Sequence, residues 1–291
     1  MTGLTILKVQ NCIGWSKSIN GHKNKKMQEE KISLLDKSSW DKSEILDRMT
    51  HDDFYYGYLG KNCLSSSSIK KILHSPLAYQ QSFEPIDEKS RTNLDVGWLF
   101  HLAILEPELY ANQIVVDVKS RDTVKFKNAY EKNMGKSTRV FTKSEVELVQ
   151  GMGMSFHNNS KAKSLLKGTK KEVPGIDVLF GIPFRAKADA LGPDYIVDLK
   201  TTSNIDRFYW EAKTWRYDIQ CFIYCEIFGI SKDNFTFIAI DKRDNRVGMY
   251  KVSDKSYENA KYDCKDAVKR FKKYFIEKEE EIYDFTLEGF I

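Results

Sequence analysis

Asp198 and Lys200 flank one residue in the apolar run YIVDLK, and in an extended strand that spacing puts both side chains on one face. Shortly upstream, Arg185, Lys187 and Asp189 alternate in the same way through PFRAKADAL. Two such strands side by side would present two carboxylates and a lysine on one surface of a sheet. A carboxylate pair on a half-buried sheet is costly unless something neutralises it, and a divalent cation does so well. Magnesium takes oxygen ligands and keeps several waters, so two aspartates, a backbone carbonyl and waters make a sufficient shell. Hydrolysis of a phosphodiester needs what this set supplies. The ion stabilises charge on phosphate oxygens and lowers the pKa of the attacking water, while the lysine orients or deprotonates that water or counters the developing charge. An isolated D-x-K is more often a pair of surface residues, and it is the R-x-K-x-D strand before it that singles this one out. Because close carboxylates repel, removal of Asp198 is expected to leave the fold intact or steadier.

Gln220 and Tyr224 lie four apart on a helical stretch and therefore share a face, where an amide and a phenol could bind backbone phosphate or align Lys200. A core tyrosine beside a surface glutamine is the alternative. Thr201 and Thr202 are expected to cap the next turn, with hydroxyls within reach of phosphate, and Arg185 and Lys187 to approach the DNA backbone or counter the carboxylates. Among Phe208, Tyr209, Trp210, Trp215 and Tyr217, helix-core packing accounts for most of the cluster, with one ring free to stack on an end base.

The elements that must position these groups are legible in outline. Gly181, Gly192 and Pro193 punctuate three β-rich runs. About 172–179 and 182–190 read as a hairpin, and Tyr195–Lys200 as the next strand. Helical spacing follows over about 205–228, then strands FTFIAID (235–241) and VGMYKVS (247–253), then a long helix over about 256–280. Upstream, Ser65 to Ser68 offer N-caps for a helix through Ile69, Ile72 and Leu73, and Pro76 opens the next segment. Asp95 reads as the cap of the apolar helix VGWLFHLAILEP, which stops at Pro107. QIVVDV (113–118) has strand character, and 143–167 has helical spacing. Residues 1–60, rich in Lys, Ser and Asn, read as a flexible or peripheral arm with one helix near Ser43–Met49, and 61–291 as the domain. The class is α/β: a mixed central sheet flanked by helices, with the site at its edge.

Bulk properties agree with a globular chain of 291 residues, 41% hydrophobic and 30% charged. No apolar run approaches the ~18–20 residues that cross a bilayer, and the first basic cluster follows rather than precedes its short apolar stretch, so no membrane partner is expected and the cytoplasm is. The net charge of +5 is compatible with a nucleic-acid partner without arguing for one. The five cysteines are scattered, and Cys221 and Cys225, one turn apart, lack a second Cys/His pair, so buried free thiols are expected.

From Leu64 to about Gly229 the chain resembles the nuclease domain of RecE-type exonucleases (exonuclease VIII). These belong to the PD-(D/E)XK superfamily with the RecB nuclease domain and lambda exonuclease. Four motifs in order carry the resemblance: LSSSSIKKILHSPLAY, the G-x-x-x-H helix GWLFHLAILEP, the core FRAKADAL…IVDLKTT and the Q-x-x-x-Y helix QCFIY. The resemblance implies that His101, Asp189 and Asp198 are metal ligands together with the carbonyl of Leu199, that Lys200 is the catalytic lysine, and that Glu172 is the acid at the site's edge. On its own, a histidine on so apolar a helix is more often a core residue. As a ligand it predicts that manganese serves as well as magnesium. Ala188 stands where the superfamily name has proline, a departure that leaves the carboxylate in place. The implied activity is a magnesium-dependent, 5′–3′ exonuclease on double-stranded DNA ends serving single-strand-annealing recombination. A ring-forming homo-oligomer and an annealing-protein partner are implied with it. An endonuclease, a single-strand-preferring RecB-like nuclease and a catalytically dead DNA-binding module are the other readings. The intact Asp189, Asp198 and Lys200 speak against the last.

Overall fold

The computed structural model describes residues 30–84, 88–136 and 138–286. Strands β1 (Lys31–Ser33) and β2 (Ser39–Asp41) form a hairpin, followed by α1 (Lys42–Arg48), a π turn (Asp53–Tyr58) and α2 (Leu59–Asn62). Then come α3 (Ser66–His74), α4 (Pro76–Gln81), α5 (Glu88–Leu105), α6 (Pro107–Ala111), β3 (Ile114–Val116), α7 (Val124–Asn133), β4 (Val140–Thr142), α8 (Lys143–Asn158) and α9 (Ser160–Leu166). The central sheet comprises β5 (Lys170–Leu179), β6 (Ile182–Leu191), β7 (Ile196–Thr202), β8 (Phe235–Asp241) and β9 (Val247–Tyr250). Between β7 and β8 run α10 (Phe208–Thr214) and α11 (Tyr217–Phe228), and α12 (Asp254–Phe271) follows β9.

The strands lie in sequence order, antiparallel except for the parallel β7–β8 pair. A parallel pair needs a crossover, and α10 and α11 supply it. Strand β8 is buried along its whole length, as its unbroken apolar run requires. Helices α3, α11 and α12 pack Ile69, Ile219, Phe222 and Phe271 onto Phe184, Phe235 and Phe237, while α5 and α8 pack Leu99, Phe100, Met152 and Phe156 onto Val197, Leu199, Ile238 and Ile240. The sheet is thus mixed and covered on both faces, as expected.

Several expectations need correction. Residues 31–60 are built into the fold: Ile32, Leu34, Ile45, Met49, Tyr55 and Leu59 form a buried cluster that closes on Ile176 of β5. The preceding stretch lies outside the described residues. Asp95 is not a cap. Helix α5 begins seven residues earlier by its bounds, and the Asp95 carboxylate accepts from Arg121 Nη1 at 2.9 Å and Arg139 Nη1 at 3.0 Å. The stretch 205–228 is broken rather than continuous, because Arg216 is left-handed (φ 50°) and its guanidinium binds Asp218 and Asp263. Ser65 does cap α3, accepting from the Ser68 N–H. Cys63, Cys221, Cys225 and Cys264 are buried free thiols; Cys12 lies outside the described residues. Among the described residues no helix is long and apolar enough to cross a membrane.

Candidate active site

The site forms where β6 and β7 part. They pair at Ala190↔Val197 and Leu191↔Ile196. Beyond that point the Asp189 side chain takes over from the ladder, its Oδ2 accepting the Leu199 N–H at 2.7 Å. On the other flank Glu172 of β5 stands opposite Asp189, bracketed by the pairs Lys171↔Ala190 and Val173↔Ala188. Its backbone is left-handed (φ 49°), a conformation that costs a non-glycine residue about 1–3 kcal/mol and recurs where function over-determines geometry. Helix α5 brings His101 in from above: Nε2 lies 2.9 Å from the Leu199 carbonyl oxygen and Nδ1 3.5 Å from Asp189 Oδ2.

His101, Glu172 and Asp189 therefore offer ligand atoms all within 4.8 Å of one another. Together they would hold one divalent cation, which takes oxygen and imidazole donors converging on a single point. The Leu199 carbonyl sits beside them as a further oxygen. The donor set, two carboxylates, a carbonyl and an imidazole, fits magnesium or manganese. Burial, and then the Asp189 charge, push the Glu172 carboxyl up to about 8. Such a value describes a cluster short of positive charge.

Asp198 stands apart from that trio. It is only 1% exposed and is held by two partners, the Lys200 ammonium at Oδ1 and the Gln220 amide, whose Nε2 donates to Oδ2 at 2.5 Å. Burial pushes its carboxyl up to about 6 although Lys200 works the other way. Burial likewise opposes the charge on Lys200, but the Asp198 and Asp189 carboxylates outweigh it and hold the ammonium above its ordinary range. The rings of Tyr217 and Phe237 lie 5.0 and 5.6 Å from its Nζ. Gln220 thus steadies Asp198 rather than Lys200. Tyr224, one turn on, is buried against Phe228 and Phe235, and burial holds its phenol protonated.

A cleft of about 860 Å³ opens over these groups, lined among others by His101, Glu172, Asp189, Gln220 and Tyr224. Arg185 and Lys187 line it too, stacked on Tyr55 at 4.4 and 4.7 Å, with Lys187 paired to Asp52 at 3.3 Å. Thr202 does not reach the cleft. It is 2% exposed, donates to Glu211 Oε2 at 2.6 Å and accepts the Asn204 N–H, so it caps the turn with its hydroxyl fully used. Thr201 is half-buried beside it and is not among the cleft's lining residues.

Sequence reasoning missed Tyr55, Tyr56, Lys70, Trp98 and Arg139, all of which line the cleft. The aromatic run DFYYGY, in the stretch set aside as an arm, was the available signal for the first two. Lys70, on α3, has its Nζ 5.5 Å from the Tyr217 ring centre; burial, then the neighbouring Lys200 charge, push it down to about 8.

The fold is shared with a known structure. A candidate exonuclease from Eubacterium rectale superposes with a TM-score of 0.59 at 18% identity, over 82% of this chain and 94% of that one. A phage-related exonuclease from Haemophilus somnus 129PT gives 0.30 at 16% identity, over 59% of this chain and 95% of that one. No curated protein matches the chain. Residues 65–283, well over half of the sequence and including His101, Glu172, Asp189, Asp198 and Lys200, match the family described as a PDDEXK-like domain of unknown function (DUF3799), and the chain is a member of that family.

Proposed function

We propose that this protein is a divalent-cation-dependent deoxyribonuclease that degrades linear double-stranded DNA from its ends. The observation that carries the reading is the convergence of His101, Glu172 and Asp189 within 4.8 Å, with the Asp198–Lys200 pair behind them, at the floor of one cleft. Lys70, Arg139, Arg185 and Lys187 surround that acidic floor, an arrangement suited to a polyanion whose phosphate must come close to a cation.

His101, Glu172, Asp189 and the Leu199 carbonyl would hold the ion, with Asp198 at its inner side. Bound there, a divalent cation lowers the pKa of the attacking water and offsets charge on the phosphate oxygens. Asp198 fixes the Lys200 ammonium, and Gln220 fixes Asp198, so the lysine is held as a pre-oriented positive charge behind the ligands, beneath the cleft's lining. The imidazole among the ligands predicts activity with manganese as well as magnesium. Attack on duplex ends in the 5′–3′ direction, a ring-forming homo-oligomer and a single-strand annealing partner extend the proposal on the resemblance to RecE-type enzymes; the exonuclease name carried by the Eubacterium rectale neighbour accords with it.

Digestion of end-labelled linear duplex beside closed circular DNA, with magnesium, manganese or EDTA, tests the reading. Loss of linear duplex alone, with either metal and not in EDTA, is expected. Cutting of the closed circle would make the enzyme an endonuclease, and no cutting under any condition would remove the nuclease assignment.

A further inference from the structure

The aromatic cluster after β7 divides in an unexpected way. Phe208 is 1% exposed and Tyr217 is packed on Phe237, as helix-core residues should be. Tyr209, Trp210 and Trp215 are 57%, 62% and 60% exposed. Three large rings facing water from a single seven-residue stretch have no packing explanation, and exposed apolar patches of this kind mark interaction surfaces. Trp210 and Trp215 line a groove of about 510 Å³ with Asn204, Arg207, Glu211 and Arg243. It shares no lining residue with the larger cleft.

Two arginines, Arg207 and Arg243, line this groove against one carboxylate, Glu211, and the Arg243 Nε lies 3.6 Å from Asp241 Oδ1. Glu211 accepts from the Thr202 hydroxyl at 2.6 Å. Asp241, beneath Arg243, is fully buried and accepts the backbone N–H groups of Ile205 and Arg243. The Arg243 guanidinium is 60% exposed, and Arg207 is exposed beside the groove with no ion pair among the described residues. Lys213 lies 4.4 and 5.1 Å from the ring centres of Tyr209 and Trp210. Exposed flat rings beside cationic side chains are the chemistry that recognises single-stranded nucleic acid. Within a duplex the bases are stacked on one another, and only the terminal pair offers a face to such rings.

We infer that α10 and the turns beside it form a second nucleic-acid site, which binds a single strand by stacking bases on Trp210 and Trp215 while Arg207 and Arg243 contact its phosphates. Its position deepens the nuclease reading, on which its biological role rests. The groove begins where β7 ends, two residues beyond Lys200, and the Thr202–Glu211 hydrogen bond ties it to that strand. A single strand exposed by degradation of a duplex end is the occupant that this reading supplies.

Binding in EDTA tests the site without any cutting. The full chain is titrated into a fluorescently labelled oligo-dT and, separately, a blunt hairpin duplex, followed by anisotropy and by quenching of tryptophan fluorescence. Stacking on one aromatic ring is worth enough that Trp210→Ala and Trp215→Ala should each weaken oligo-dT binding about ten-fold. Both rings are exposed, so melting temperatures should hold, and duplex affinity should stay within about two-fold. Arg207→Ala should make the salt dependence of oligo-dT binding shallower by about 0.7. Wild-type oligo-dT affinity in the double tryptophan variant would overturn the inference and leave the patch to a protein partner. So would equal losses on oligo-dT and duplex, or a wild-type chain that does not bind oligo-dT. The two readings fail separately: a chain that binds oligo-dT through these rings but cuts nothing keeps the groove and loses the nuclease.

Discussion

At the scale of single residues, the ion pair between Asp198 and Lys200 reverses an expectation. Sequence logic treats Asp198 as one of two repelling carboxylates whose loss relieves strain. In the structure it is the counter-charge of a largely buried ammonium, and Gln220 completes its shell. Breaking such a pair typically costs about 3–5 kcal/mol because the partner is left uncompensated. Asp198→Ala should therefore lower the melting temperature in EDTA as well as abolish cleavage, and an unchanged or raised melting temperature would refute the pair. Lys200→Ala should cut turnover on duplex ends about 10²–10³-fold, the usual effect of one well-placed electrostatic group, while binding in calcium stays near wild type. Parallel losses of affinity and rate would make the lysine a docking contact only. The raised carboxyls carry a pH signature. Glu172 and Asp198 are pushed up to about 8 and about 6, from 4.5 and 3.8. The ion-free fold thus holds more protons than the unfolded chain between about pH 4 and 8, and its stability falls as pH rises through that window. A divalent cation binds the deprotonated carboxylates, so the gap in melting temperature between magnesium and EDTA should widen from acid to neutral pH. A constant gap would mean that Glu172 is not its ligand.

Among the elements, the segment before the motif-bearing region is the one the sequence disguised. Lys31–Asn62 alternates charged and apolar residues too irregularly for either helical or strand periodicity, so it reads as an arm. Its short pieces bury Ile32, Ile45, Met49 and Leu59 against one another and against β5, and its Tyr55 ring supports Arg185 at the cleft wall. Ile45 is completely buried, so Ile45→Ala should cost about 2–5 kcal/mol in urea unfolding. An unchanged unfolding midpoint would return the segment to the status of an arm. By contrast, the strands from β5 to β8 were legible to within a residue or two, because Gly181 turns the hairpin and period-two alternation is unmistakable between FRAKADAL and IVDLKTT. The same alternation singled out Asp189, Asp198 and Lys200, whereas His101, Glu172 and the Leu199 carbonyl were implied by the family resemblance. What one-dimensional pattern could not carry was which groups meet: that Glu172 joins His101 and Asp189, that Asp198 turns instead to Lys200, or that Lys70 arrives from α3. Those depend on the parting of two strands and on a left-handed residue that no periodicity signals.

Over the whole molecule, the mild net charge conceals an uneven distribution. From β3 to β4, seven lysines and arginines face three acids, a net +4 out of +5 for the entire chain. This stretch has a small core of its own, Val116, Phe126 and Val140, on which α7 is mounted. Its two arginines are committed inward: both bind Asp95, and the Arg139 guanidinium lies 4.0 Å from the Trp98 ring centre at the cleft. Lys125, Lys127, Lys132 and Lys136 remain exposed, without ion pairs among the described residues. On the proposed function, a lobe that is basic on its outside and anchored beside the cleft on its inside would hold the backbone of duplex entering that cleft. Lysines that bind phosphate act through released counterions, each contributing about 0.9 to the slope of log affinity against log salt. Replacing the four lysines by serine should therefore weaken duplex binding most at low salt and flatten the slope by about 0.9 for each phosphate that the variant leaves unneutralised. Turnover at saturating DNA should be unchanged, because none of the four touches the acidic floor. Equal salt slopes for variant and wild type would show that the lobe faces away from the DNA; a fall in turnover at saturation would instead make α7 part of what positions the reacting phosphate.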